Sequence, residues 1–206
     1  MVQEQLRAFD IRDERVLDAM GSVPRELFVP KELRYKAYGD HALPIGYGQT
    51  ISQPRMVALM LEALALDGSE RVLEVGAGSG YQAALLGKLA KEVVALELIP
   101  ELAQRAKERC QSLGLDHVDV LCADGSLGCP ERAPFDAIIV AAGAPVVPAP
   151  LLEQMSPSGR LVIPVGRGDV QELLRIRRAG DGVSEERLGG CRFVPLLGEL
   201  GHKANG

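Results

Sequence analysis

A strand that runs without pause into three alternating glycines and then a helix leaves few folds open to this chain. The segment is Val72-Leu73-Glu74-Val75-Gly76-Ala77-Gly78-Ser79-Gly80-Tyr81. Glycine lets the backbone turn tightly after a strand and lets a ligand come within contact distance of it. The surroundings repeat the alternation. Strand-like runs occur at Arg71–Val75, Glu92–Glu97, Val118–Leu121, Ala137–Ala141 and Arg160–Val165. Helical runs lie between them at Tyr81–Leu89, Glu101–Leu113 and about Ala149–Met155. This repetition predicts a mostly parallel sheet with helices on both faces, doubly wound through right-handed crossovers. Two further strands, Glu172–Arg177 and Arg192–Leu196, have no long helix between them and should pair antiparallel.

Residues 1–38 read as short helical pieces broken by Pro24 and Pro30. Val16, Leu17 and Met20 make one apolar face behind the acidic start Asp13–Glu14. Residues 39–51 are rich in Gly and Pro without a helical period, and read as a long structured loop of the kind that often carries function. A helix follows, with Ser52 or Gln53 as its cap, Pro54 in its first turn and Asp67-Gly68 at its end.

Composition narrows the partners. The formal net charge of -5 argues against bulk attraction to nucleic acid or an anionic membrane. The Arg175–Arg177–Arg178 cluster reads as a solvated strand face. Cys110, Cys122, Cys129 and Cys191 form no C-x-x-C pair, and His41, His117 and His202 stand far apart, so neither a metal site nor a disulfide framework is expected. The N-terminus lacks the basic-then-apolar pattern of a signal peptide. The longest apolar stretch, Phe135 to Leu152, contains Asp136 and three prolines. The cytoplasm is therefore the expected compartment.

The acids select the ligand. Glu97 closes the strand after the glycine turn, twenty-one residues beyond Gly76, where a carboxylate takes the ribose hydroxyls of a nucleoside. A dinucleotide fingerprint would place glycine at 81, but Tyr81 stands there. Glu74, two residues before the first glycine, would repel a pyrophosphate and suits the ammonium of a methionine moiety. Asp124-Gly125 follows the third strand, where a carboxylate can accept from an adenine amino group. Glu74, Gly76, Gly78, Glu97 and Asp124, with neighbours Ala77, Ser79, Leu98 and Gly125, therefore favour S-adenosylmethionine over NAD.

Longer segments carry a resemblance. Ala42-Leu43-Pro44-Ile45-Gly46, Gly48-Gln49-Thr50-Ile51-Ser52-Gln53-Pro54 and Met56-Val57-Ala58 form one block. Others are Val23 to Pro30, Phe135 to Val140, Ala144-Pro145, Gly159 to Gly166 and Arg192-Phe193-Val194-Pro195-Leu196. Together, over about residues 3 to 200, they resemble the protein-L-isoaspartate (D-aspartate) O-methyltransferases, in their bacterial form. The resemblance implies a seven-stranded, Rossmann-like class I methyltransferase sheet with an N-terminal helical extension and a C-terminal antiparallel strand. It implies methyl transfer from S-adenosylmethionine to the α-carboxylate of L-isoaspartyl, and less well D-aspartyl, residues, starting repair through a succinimide. It also implies a cytosolic enzyme without metal, and Ser52 as the active-site residue. One domain over 1–206 is expected, with 1–53 as helical extension and active-site loop and 54–206 as the cofactor-binding core. A monomer acting on isoaspartyl peptides and proteins is expected.

A carboxylate, with a pKa near 4, is already a nucleophile at neutral pH. The remaining task is alignment, which contributes on the order of 7–11 kcal/mol in favourable cases. Ser52, with Thr50 and Ile51, is expected to bind the substrate carboxylate, flanked by Val194 and Leu197 of the tail. In some family members a Thr stands where Leu197 does and touches the cofactor. Ser52 also reads as a plain N-cap, and helix N-terminal amides attract carboxylates in any case. Three rivals follow from the same residues: another carboxyl or small-molecule methyltransferase of this fold, a nicotinamide-dependent oxidoreductase, and a cofactor-binding scaffold without catalysis.

Overall fold

The computed structural model describes residues 1–180 and 182–202. Its helices are α1 (Glu14–Ser22), α2 (Pro54–Leu64), α3 (Tyr81–Leu89), α4 (Pro100–Ser112) and α5 (Ala149–Glu153). Its strands are β1 (Leu43–Gly46), β2 (Gln49–Ile51), β3 (Arg71–Val75), β4 (Glu92–Glu97), β5 (Val118–Cys122), β6 (Phe135–Val140), β7 (Met155–Val165), β8 (Gln171–Ala179) and β9 (Gly182–Cys191). The large sheet has the order β5-β4-β3-β6-β7-β8-β9. Its first five strands run parallel, β8 is antiparallel to β7, and β9 is antiparallel to β8. The doubly wound, mostly parallel seven-stranded expectation is met. The chain leaves β3 for β4 and β5, then returns to the other side of β3 as β6. The carboxyl ends of β3 and β6 thus form the switch point, where such sheets open a crevice.

Alternate residues of the central strands feed two cores. Val72, Val93, Ala95 and Ile139 pack with α1 to α4. Leu73, Val75, Val94, Leu96 and Ile138 pack with Phe135, Leu151 and Leu161 on the other face. Burial on both faces is why these strands read as nearly continuous apolar runs. The third glycine sets helix packing: a Cβ at Gly80 (φ +83°) would lie 2.9 Å from Ala106 of α4. The N-terminal region is clasped to this core. Asp13 caps α1 by accepting from the amides of Arg15 and Val16, while Glu62 of α2 accepts those of Arg12 and Asp13, each at 2.7 Å.

Several local expectations are corrected. Residues 39–51 contain the β1–β2 hairpin, whose tip Gly46-Tyr47-Gly48 has positive φ throughout. The last strand is Gly182–Cys191 and not Arg192–Leu196. Residues 192–196 instead lie against Gly143, whose amide donates to Val194 and whose carbonyl accepts from Leu196, both at 2.8 Å. Neither Ser52 nor Gln53 caps α2 through its side chain. Asp40 does so from the preceding loop, accepting the Arg55 amide at 3.0 Å. That helix ends at Ala65 in the left-handed region, before Asp67-Gly68. The arginine cluster is solvated only in part: Arg177 is exposed, but Arg175 pairs with Glu186 and reaches the Ala63 carbonyl, and Arg178 donates to the Leu152 carbonyl at 2.7 Å. His202 is half-buried, its amide bonded to the Leu196 carbonyl at 2.7 Å.

Candidate active site

Three adjacent spaces lie over the switch point. A groove of about 510 Å³ is lined by Thr50, Ser52, Arg55, Met56, Ala141, Phe193 and Val194, among others. A cavity of about 30 Å³ is bounded by Thr50, Ile51, Ser52, Glu74, Gly76, Ala77, Gly78, Ser79, Gln82 and Ala141. A third, of about 50 Å³, is bounded by Gly76, Leu98, Ile99, Gly125, Leu196 and Leu197. Thr50, Ser52 and Ala141 form the wall between the first two, and Gly76 the wall between the last two. Ser52 therefore faces the open groove on one side and the glycine turn on the other.

The glycine turn is held by β4. The Leu96 carbonyl accepts the amides of Gly76 and Ala77. The Glu97 carboxylate accepts the Gly78 amide at 2.7 Å and the Ile99 amide at 2.9 Å. Each carboxylate oxygen keeps a lone pair for a further donor. Ser52 and Glu97 are thus on the same side of the molecule, joined through Gly78.

Glu74 is the anomaly of the central strand. It is fully buried between Ala95 and Ile139, and neither of its oxygens has a hydrogen-bond partner among the described residues. Burial pushes its carboxyl up to about 8; the Gln82 amide opposes the shift and the Glu97 charge adds to it. The Gln82 amide nitrogen is itself unpartnered among the described residues. An orphaned buried carboxyl is costly. A cationic ligand entering the cavity would satisfy it, and this donor-poor acidic pocket fits the ammonium end of S-adenosylmethionine.

Asp124 stands differently from expectation. Its carboxylate accepts from the Ser126 amide and hydroxyl and from the Glu199 amide, the last at 2.7 Å. Burial works against its charge, but these donors hold its pKa below the usual value. Its neighbour Gly125 lines the third cavity. Leu197, expected beside the substrate, lies on that same side, away from Ser52, whereas Val194 lines the groove.

The Ser52 hydroxyl has no hydrogen-bond partner among the described residues, and Ser52 is only half-buried. Its carbonyl accepts from Arg25 Nη2 at 2.7 Å. Sequence reasoning assigned no role to Arg25, Gln82, Tyr81 or Ala141. Gln82 carried a usable signal, being a polar residue in an otherwise apolar stretch of α3. Arg25 stood in the Val23–Pro30 segment of the resemblance, but nothing in that segment foretold its burial, which only tertiary packing produces. Among the described residues no group of three His, Cys, Asp or Glu side chains is placed to hold a metal ion.

Comparison with known proteins agrees with this geometry. The chain is 59% identical over 203 residues to protein-L-isoaspartate O-methyltransferase 2 of Marinobacter nauticus, covering 98% of this chain and 93% of that one. It is 58% identical over 188 residues to the protein-L-isoaspartate O-methyltransferase of a Roseiflexus species, covering 91% and 86%. Among solved structures, it superposes with a TM-score of 0.81 and 29% identity on a Plasmodium falciparum protein assigned as a protein-L-isoaspartate O-methyltransferase, in complex with S-adenosyl-L-homocysteine. That match covers 95% of this chain and 96% of the other. The family model for protein-L-isoaspartate(D-aspartate) O-methyltransferase matches residues 1–201. The chain belongs to the protein-L-isoaspartate(D-aspartate) O-methyltransferase family.

Proposed function

We propose that this protein methylates the α-carboxylate of L-isoaspartyl residues, and less well of D-aspartyl residues, in damaged proteins and peptides, with S-adenosylmethionine as donor. The observation that carries this reading is the position of Ser52. Its hydroxyl is free of the helix, and it forms the wall between an open groove and a buried acidic cavity.

Glu74 and Gln82 would hold the amino-acid end of the donor, the turn Gly76–Ser79 its centre, Glu97 its ribose, and Leu98, Gly125 and Leu197 its base. Bound there, S-adenosylmethionine supplies a methyl group activated by the positive charge on sulfur. The substrate carboxylate is ionised at neutral pH, so no side chain has to remove a proton. Ser52 donates its hydroxyl to one carboxylate oxygen and leaves the other aimed toward the glycine turn. Thr50, Ile51 and Val194 frame the substrate. Alignment of this kind is where most of the rate enhancement arises. The two inner cavities are small beside the several hundred Å³ of ordinary ligand pockets, so seating a nucleoside involves movement of the β1–β2 hairpin or the tail.

Residues 1–206 act as a single domain in this reading, with 1–53 covering the site built on 54–206. The protein works as a cytoplasmic monomer without nucleic-acid or membrane partners. The net charge of -5 speaks against nucleic-acid and anionic-membrane partners, and no described helix is long and apolar enough to cross a membrane.

The test offers tritiated S-adenosylmethionine with an isoaspartyl peptide and its aspartyl isomer. Base-labile label is expected on the isoaspartyl peptide. Equal labelling of both, or of neither, would defeat the assignment and leave another carboxyl or small-molecule methyltransferase.

A further inference from the structure

Arg25 is the single cation among the fully buried polar side chains described, with 0% exposure. No carboxylate pairs with it among the described residues. Its guanidinium is held by other groups. Nε donates to the Ala37 carbonyl and Nη2 to the Ser52 carbonyl, both at 2.7 Å, and its carbon lies 4.8 Å from the centre of the Tyr81 ring. Nη1 has no partner. Tyr81 opens α3 directly after the glycine turn, lines the cavity that Ser52 also lines, and is braced edge-on by Phe28 at 5.4 Å.

A buried, unpaired guanidinium is destabilising unless something repays it. Here it ties the segment bearing Ser52 to the start of α3, so Ser52 cannot shift without breaking a charge-assisted bond. It also answers an electrostatic difficulty. The donor side of Ser52 holds two buried acids, Glu74 and Glu97; in the charged form that a cationic donor favours, they repel an anionic acceptor. A positive charge bonded to the backbone of Ser52 offsets that repulsion where the acceptor carboxylate binds.

Resting on the proposed function, we infer that Arg25 is a positioning residue for the substrate carboxylate: it fixes Ser52 through its carbonyl and supplies the charge that admits an anionic group beside Glu74 and Glu97. It touches neither reactant. Its effect falls on the peptide and not on the donor.

The test compares wild type, Arg25→Lys and Arg25→Met. Steady-state methylation of an isoaspartyl peptide is measured alongside calorimetric binding of S-adenosylhomocysteine, with folding followed by thermal melting. Arg25→Lys keeps the charge but cannot span both carbonyls. It should raise peptide KM by about tenfold with a smaller loss of kcat. Arg25→Met should raise KM by about a hundredfold or more. The Kd for S-adenosylhomocysteine should stay within about twofold in both. Wild-type KM in the lysine variant overturns the inference. So does a loss of S-adenosylhomocysteine binding that matches the change in KM, or a lysine variant that does not fold, because Arg25 would then serve the fold alone. An inactive wild type would instead refute the proposed function, so the two failures remain distinct.

Discussion

The carboxylate of Glu97, at the end of β4, accepts the backbone amide of Gly78 in the turn that follows β3, at 2.7 Å. One side chain therefore shapes the glycine turn before any ligand arrives, and in the proposed function it also takes the donor's ribose. Glu97→Ala should lose in both roles. Two amides, of Gly78 and Ile99, lose a charged acceptor. Each such bond contributes about 1.5–3 kcal/mol. The expected result is a denaturation midpoint lowered by a loss of about 2 kcal/mol or more, with S-adenosylhomocysteine binding weakened at least about tenfold. A variant with wild-type affinity would show that the turn, not the acid, recognises the donor.

Glu74 makes stability depend on pH in an unusual direction. Its folded pKa of about 8 stands above the ordinary 4.5, because burial disfavours the charged form. Between those values the folded protein holds a proton that the unfolded chain releases. Stability of the ligand-free protein should therefore decline as pH rises from about 4.5 to about 8. Glu74→Gln should flatten that part of the profile in chemical denaturation. In the proposed function the donor's ammonium pairs with the charged carboxylate, so affinity for S-adenosylhomocysteine should increase from pH 6 to 8 in the wild type and be weak and flat in the variant. A wild-type affinity independent of pH would count against Glu74 as the ammonium partner.

Capping and catalysis separate cleanly at α2. Asp40 caps the helix from a distance, so Asp40→Ala should cost about 1 kcal/mol of stability and leave kcat per folded molecule nearly unchanged. Ser52→Ala should do the reverse. It removes a donor to a charged group, about 1.5–3 kcal/mol, or roughly ten- to a hundredfold in kcat/KM, with the melting temperature preserved. Loss of stability without loss of rate in Ser52→Ala would return that residue to a structural role.

The tail strap at Gly198–Leu200 is fastened to Asp124 and Ser126. A Cβ at Gly198, where φ is +137°, would clash with the Asp124 carboxylate. Gly198→Ala should therefore detach the strap and free the edge of the cavity lined by Leu196 and Leu197. Losing the bond from the Glu199 amide to Asp124 should accelerate S-adenosylhomocysteine release at least about tenfold, as read by stopped-flow displacement. An unchanged rate would mean that the strap does not cover the donor.

Sequence alone settled whatever depends on neighbours along the chain. The glycine turn after Val75, the acid closing β4, the apolar runs that become central strands, and Asp13 ahead of α1 all act within a few residues or at a fixed strand spacing, so period and position reveal them. The long Ala42–Ala58 block marked the family for the same reason. Tertiary structure decided what depends on groups brought together from afar. The choice of strand for the sheet edge turned on pairing with β8, and residues 182–191 won because they follow it almost at once along the chain, while 192–196 were drawn to Gly143. Ser52 was freed from capping because Asp40 supplies the helix from another segment. Arg25 became a buried charge at the site only when Ala37, Ser52 and Tyr81 closed around it. Burial and electrostatic balance are sums over the whole packed molecule, and no local stretch of sequence contains them.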